Sequence, residues 1–377
     1  MINLSVSEIN SYLTCRRAWD ISSANRQSLR HKVSPKIYLT IGSAVHAAIE
    51  AQSNGDDPYE AFEEFVNVER ADRRMAYEEA VGVLPWDSEM EEFESGVNLA
   101  RSLVHQYFDH YGTENPYKDL GLRIVASEVP FNIRISDDVN FVGTFDHIAV
   151  DLETESQFYL IENKTSGRTP DFNQYERSNQ HIGYNWAFTV LTGQKPAGTV
   201  YNIIMKRLIT EPRVLKSGKL SVDKNASVTY KSFMKALNYG NHDPVQYTDY
   251  ITMLHDREQS GDSRFFVREI FRPTLVELVN WERDVLDQVV AEAFSGSEPG
   301  IIPNRSACDR CLVSDLCTAM DRDDDVELLV SQRYQVGTYG TQQAVRGITP
   351  TNIASLEDLQ RTLEEYRANR AEGSSGS

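Results

Sequence analysis

The chain has 377 residues with 40% hydrophobic and 10% aromatic content, enough for one large domain with insertions or two smaller ones. Met1-Ile2-Asn3-Leu4 leads directly into a polar, capped segment that does not resemble a signal peptide, so none is expected. No apolar run approaches the ~20 residues that a bilayer crossing needs, so a cytoplasmic protein with no membrane partner is expected. The formal charge of −18 argues against a polyanion partner, since phosphate binding calls for Lys and Arg. That charge is unevenly spread. Residues 50–96 hold fifteen acids against three bases, whereas 1–49 is near +4 and 201–235 near +6. The local field, more than the sum, governs where a polyanion docks.

Ser5 or Ser7 can cap a short helix carrying Ile9, Tyr12 and Leu13, which delivers Cys15. Val45, Ala48 and Ile49 recur at helical spacing and predict a helix over 41–53. Two acidic helices are expected near 59–81 and 89–110. The pattern then changes to strands: 125–131, 141–150, and the apolar run Phe158-Tyr159-Leu160-Ile161 leading to Glu162. Hairpin-length connections make these three an antiparallel meander. A helix over 171–192 and a strand over 198–205 complete a mixed α/β core. The polar stretch 207–226 reads as an exposed hairpin or loop, followed by helices at 227–258 and 273–295 around a strand at 264–271. Ser355-Leu356-Glu357-Asp358 has capping-box form and opens a last helix reaching Arg370. The final Gly373–Ser377 reads as a flexible tail.

Within the meander, Asp146 follows Gly143, and Glu162-Asn163-Lys164 closes the next strand. Side chains two apart on a strand share a face, so Glu162 and Lys164 point together while Asn163 points away. A neighbouring hairpin strand can bring Asp146 beside them. Phosphodiester hydrolysis asks for such a set. Carboxylates hold a hard cation, the cation activates water, and an ammonium stabilises the anionic transition state. Alone, an Asp and a Glu-x-Lys are common on surface strands. His46 lies on the helix after Gly42, Glu128 on the strand before Asp146, and Gln180 and Tyr184 are four apart on one helical face. Each would be unremarkable by itself.

Taken in order, Gly-x-x-x-His, Glu-x-Pro, Gly-x-x-Asp, Glu-x-Lys and Gln-x-x-x-Tyr resemble the RecB-type branch of the PD-(D/E)XK nucleases. The likeness extends from Leu4 to Cys317. It implies a restriction-endonuclease-like fold, a mixed β-sheet core flanked by helices. It also implies His46, Asp146 and Glu162 as ligands of Mg²⁺ or Mn²⁺, with the Asn163 backbone carbonyl as a fourth. Lys164 would be the catalytic lysine alongside Asp146 and Glu162, and Gln180 and Tyr184 would touch the DNA strand. Glu128 would be an accessory carboxylate, and Lys206 and Arg207 further DNA contacts. Two departures stand out. Arg16 follows Cys15 where proline is usual, and Asn163 fills a position more often apolar or aromatic.

All four cysteines fall into a one-plus-three pattern, Cys15 and then Cys308, Cys311 and Cys317. Spacing leaves a zinc site and an iron–sulfur cluster equally open. Resemblance to AddB nuclease domains and CRISPR-associated iron–sulfur exonucleases implies a 4Fe–4S cluster, with zinc the alternative. Either metal would clasp the chain's start to its later part. Domain boundaries follow: a nuclease domain over 1–320 with a helical insertion at about 55–115, then a small helical extension over 321–372. The expected function is a DNA exonuclease in recombination, repair or replication. Its substrates would be DNA ends or single strands, with 5′ polarity as in the iron–sulfur relatives. No Gly-x-x-x-x-Gly-Lys-[Ser/Thr] loop is present, so a motor would be a separate helicase. A recombinase or single-strand-binding protein is an alternative partner. The rival reading is a processing or assembly factor whose nuclease is accessory or inactive.

Overall fold

The computed structural model describes residues 2–32, 37–79, 86–154, 156–259, 264–294 and 300–337. Ile2–Leu4 forms β1, and Ser5 caps α1 (Val6–Thr14) by accepting the Glu8 N–H at 3.2 Å. Cys15 separates α1 from α2 (Arg16–Ser22). A short strand, β2 (Leu29–His31), precedes α3 (Ile37–Asn54). The acidic helices follow as α4 (Pro58–Glu79) and α5 (Trp86–Tyr111). The meander is β3 (Leu122–Arg134), β4 (Val139–Asp151) and β5 (Phe158–Ser166), antiparallel as expected.

The helix expected over 171–192 is two, α6 (Phe172–Glu176) and α7 (Asn179–Thr192). Ser178 adopts an extended backbone between them and accepts the His181 N–H at 3.1 Å, so a local side-chain bond restarts the helix. After β6 (Gly198–Met205), Val214 and Leu220 bridge across the basic stretch in antiparallel fashion. The helix expected over 227–258 is likewise broken into α8 (Tyr230–Tyr239) and α9 (Thr248–Gln259). Asn241 takes a φ of +51°, and Asp243-Pro244 opens a separate 3₁₀ turn, as proline's missing N–H favours at a helix start. Next come β7 (Phe266–Phe271), α10 (Leu275–Trp281) and α11 (Asp287–Phe294), the two helices joined through a π turn. Then α12 (Ser314–Arg322), α13 (Val326–Arg333) and β8 (Tyr334–Val336) close the described chain. The helix expected from Ser355 and the Gly373–Ser377 tail lie outside the described residues.

One mixed sheet organises the fold, with order β1-β4-β5-β6-β7 and β3 paired to β4. β1 runs parallel to β4, and β5 parallel to β6. Asn140 and Phe141 pair with both β1 and β3, and His147–Val150 pair with both β3 and β5. β1 and β5 therefore share one edge of β4 and leave it unpaired between them. On one face of the sheet, α1, α7, α10 and α11 bury Trp19, Phe141, Phe145, Trp186 and Trp281. On the other, α3, α4 and α5 pack around Val45, Phe62, Phe93 and Tyr107. Gly183 lets α7 approach α10, because a Cβ there would stand 2.7 Å from the Trp281 ring. The insertion between β6 and β7 has a core of its own, Leu220, Phe233, Leu237, Tyr247, Tyr250 and Leu254. β2 and β8 pair antiparallel and lie over Ile21, Val313 and Leu316, tying the segment after Cys317 to the N-terminal helices.

Candidate active site

Where β5 parts from β4, the ladder ends at the His147–Ile161 pair, and the next residues on the two strands are Asp146 and Glu162. In place of a ladder hydrogen bond, Asp146 Oδ2 accepts the Asn163 N–H at 2.9 Å. On the far side of β4, the pairs Ser127–His147 and Val129–Phe145 flank Glu128, setting it opposite Asp146. Glu128 itself has a φ of +48°, a left-handed conformation rare for glutamate. The fork thus gathers carboxylates from three adjacent strands.

Alternation along β5 decides the rest. Phe158 and Leu160 enter the core beneath α7, while Tyr159 and Ile161 enter the opposite one. Glu162 and Lys164 continue the first face, as the two-residue period requires. The Lys164 ammonium donates to Glu162 Oε1 at 2.5 Å and to Gln180 Oε1 at 2.9 Å, and Gln180 Nε2 donates to the same Glu162 oxygen at 2.6 Å. Asn163 continues the other face, where its side chain is buried and accepts the Tyr117 hydroxyl at 3.0 Å. From α3, His46 Nε2 lies 2.7 Å from the Asn163 carbonyl oxygen, and its Nδ1 lies 3.7 Å from Asp146 Oδ2.

The acids here repel one another in a poorly hydrated place. Burial, then Asp146, raises the Glu162 carboxyl, with Lys164 and Gln180 pulling the other way. Burial lowers the Lys164 ammonium, but Glu162 and Asp146 outweigh it and hold the group firmly protonated. Glu128 is pushed up to about 9 by burial and by Asp146, Glu50 and Glu162. Glu50 is pushed up to about 7 by burial and by Asp146. It lies one helical turn after His46 on α3 and was missed in the sequence. The usable signal was its i, i+4 spacing from His46.

The remaining sequence candidates are more scattered. Tyr184 packs its ring edge-on against Phe131 and Phe145, and its hydroxyl meets the Gln180 side chain and the Thr144 backbone. Burial raises its phenol. Lys206 is half-buried and its ammonium is pushed down by that burial, while Arg207 is exposed at the start of the basic stretch. Lys206 N–H donates to the Ser166 carbonyl at 2.7 Å, so both cations sit just past the Lys164 end of β5.

Four carboxyls, an imidazole and a backbone carbonyl are the donors a hard divalent cation takes. The raised Glu50 and Glu128 are acids that such a cation would favour in their charged form. Among the described residues, though, no group of three or more His, Cys, Asp or Glu side chains closes on a common point that could hold a metal ion as it stands. The Cys311 thiol is raised first by burial, and Cys15, Cys308 and Cys317 add to that rise. None is in a disulfide. The Asn304 N–H donates to Cys15 Sγ at 3.3 Å, and Arg17 Nη1 donates to Cys317 Sγ at 3.6 Å.

A mixed sheet flanked by helices carries Asp146, Glu162, Lys164 and His46 at a strand fork, donors of the kind that metal-assisted phosphodiester chemistry uses. The family model of the PD-(D/E)XK nuclease superfamily matches residues 3–318, and the chain belongs to that superfamily. It is therefore a nuclease with DNA as its substrate and a metal-dependent reaction, members using Mg²⁺ or Mn²⁺. No curated protein matches the chain. No helix among the described residues is long and apolar enough to cross a membrane.

Proposed function

We propose that this nuclease is an exonuclease of the RecB-type, four-cysteine kind, acting on DNA ends or single strands in recombination, repair or replication. The hydrogen-bonded cluster of Glu162, Lys164 and Gln180 beside Asp146, with His46 over the Asn163 carbonyl, carries this reading. Asp146, Glu162, His46 and the Asn163 carbonyl would hold Mg²⁺ or Mn²⁺. A cation held there would supply a lowered water pKa and a sink for charge on the phosphoryl oxygens. Lys164, which Glu162 and Asp146 hold protonated in the metal-free site, would orient the nucleophile or stabilise the transition-state charge. Gln180 fixes that ammonium and, with Tyr184, faces the strand being cut. Arg207 and the exposed cations after it would guide the rest of the DNA. Lys206 would act from its half-buried place.

Cys15, Cys308, Cys311 and Cys317 would bind a 4Fe–4S cluster, zinc being the alternative, as a clasp over a nuclease domain spanning 1–320. A separate helicase, recombinase or single-strand-binding protein would supply the substrate. End-labelled single- and double-stranded DNA with Mg²⁺ or Mn²⁺ tests the reading. Mononucleotides and short products released from one end are expected. Lys164→Ala and Asp146→Ala should each lose about 100-fold or more in kcat, the scale of removing a transition-state stabiliser. Undiminished cleavage by both would sink the site assignment, and internal cuts in a closed circle would sink the exonuclease reading.

A further inference from the structure

We propose that Arg268, remote from the fork on β7, is a positioning residue that sets the Asn163 backbone through Asn202. The three residues form one row across adjacent strands, since Asn163 pairs with Asn202 and Asn202 with Arg268. Arg268 Nε donates to Asn202 Oδ1 at 2.9 Å, and Asn202 Nδ2 donates to Asn163 Oδ1 at 2.7 Å. A guanidinium has no acceptor, so the Asn202 atom facing it has to be the amide oxygen. Its NH₂ group is thereby turned toward Asn163, whose own oxygen has to face it. The Tyr117 hydroxyl, donating to the same Asn163 oxygen, reinforces that choice. One cation fixes the sense of two amides in series.

The backbone of the residue at the end of this row is what the fork depends on. The Asn163 N–H binds Asp146 and the Asn163 carbonyl, in the next peptide unit, faces His46. Arg268 is itself rigidly held. Nη1 donates to the Pro116 carbonyl at 2.8 Å and to Asp119 at 2.5 Å, and Nη2 donates to the Tyr107 hydroxyl at 3.1 Å. Its guanidinium stacks over the rings of Tyr111 and Tyr117, 3.5 and 4.6 Å from their centroids. The Arg268 side chain is 5% exposed, while its acidic partner Asp119 is 50% exposed. A buried cation with so solvated a partner is a poor way to hold an edge strand, and apolar residues of similar volume would do as well or better. An apolar residue at 163 would also fill its place. The row makes sense as a device for orientation.

This inference rests on the reading that Asp146 and the Asn163 carbonyl hold the divalent cation. Calorimetric Mn²⁺ titration of the full chain without DNA, together with thermal midpoints and kcat and KM for DNA, tests it. Asn202→Asp keeps the shape and the Arg268 partner but removes the donor to Asn163. Arg268→Met removes the anchor. Both should weaken Mn²⁺ binding by about tenfold or more, the usual effect of losing a group that orients a metal ligand, and lower kcat with KM for DNA unchanged. Phe233→Ala, in the separate core of the β6–β7 insertion, should lower the thermal midpoint without moving Mn²⁺ affinity. If Arg268→Met does not fold, Asn202→Asp decides. Wild-type Mn²⁺ affinity in these variants, while Asp146→Ala abolishes binding, overturns the proposal alone. Intact Mn²⁺ binding by Asp146→Ala overturns the metal-site reading and the proposal with it.

Discussion

Glu50→Gln separates the electrostatics of the fork from its packing. The Glu50 carboxyl moves from an ordinary 4.5 to about 7, first through burial and then through Asp146. Between those two values the native state holds a proton that the unfolded state has released, so stability falls as pH rises. At about 1.4 kcal/mol per unit, the displacement costs the metal-free protein about 3 kcal/mol once pH is well above 7. Below the unfolded value the cost vanishes. Glutamine keeps the shape and never ionises. Urea denaturation of chelator-treated protein should therefore find Glu50→Gln more stable than wild type by about 3 kcal/mol at pH 8, and by less than about 1 kcal/mol at pH 5. Saturating Mn²⁺ at pH 8 should erase the gain, because the cation rewards the charged carboxylate. An equal offset at both pH values, or a loss at pH 8, would refute the electrostatic account.

Two further outcomes follow from the surface and the clasp. Replacing the exposed Arg213, Lys216 and Lys219 with alanine should flatten the salt dependence of single-stranded DNA binding by about 2 in log–log slope, at about 0.7 per lost phosphate contact; an unchanged slope would remove this stretch from the DNA path. Cys311→Ser should lower both the bound iron or zinc, read by elemental analysis, and the thermal midpoint; full metal content in the variant would refute a four-cysteine clasp.

The meander was readable because alternation is local: each of β3, β4 and β5 carries its own two-residue period. The shared face of Glu162 and Lys164 followed from the same period. What sequence did not carry was pairing over distance. β1 inserts beside β4 from the chain's start, and β2 finds β8 from its far end, by contacts that leave no mark in either segment alone. The split at Ser178 was missed for another reason. The apolar spacing runs across it, and a capping serine inside a helical pattern looks like any helix-surface serine. Asn163 was recognised as a departure from the apolar norm, but its meaning needed Asn202 and Arg268 across the sheet. Glu50 was hidden because an acid at the head of an acidic stretch looks like part of a solvated face.

That acidic stretch bears on how a chain of net charge −18 can act on DNA. Most of its acids lie on α4 and α5, where Arg70 pairs with Glu94 and Arg101 with Glu63, each at 2.6 Å, across the two helices. The other side of this layer packs on α3 through Val45, Ala48 and Ile49. The same α3 carries His46 and Glu50 to the fork, so a strongly anionic layer backs a site already crowded with carboxyls. Such a field repels a phosphate and attracts a divalent cation. On the proposed metal reading the ion would have two tasks, to activate the reaction and to offset the negative field that the scissile phosphate meets. Because Glu162, Glu128 and Glu50 are all raised, a bound ion would favour their charged forms, and on the proposed reading the exposed cations past β6 would hold the rest of the strand.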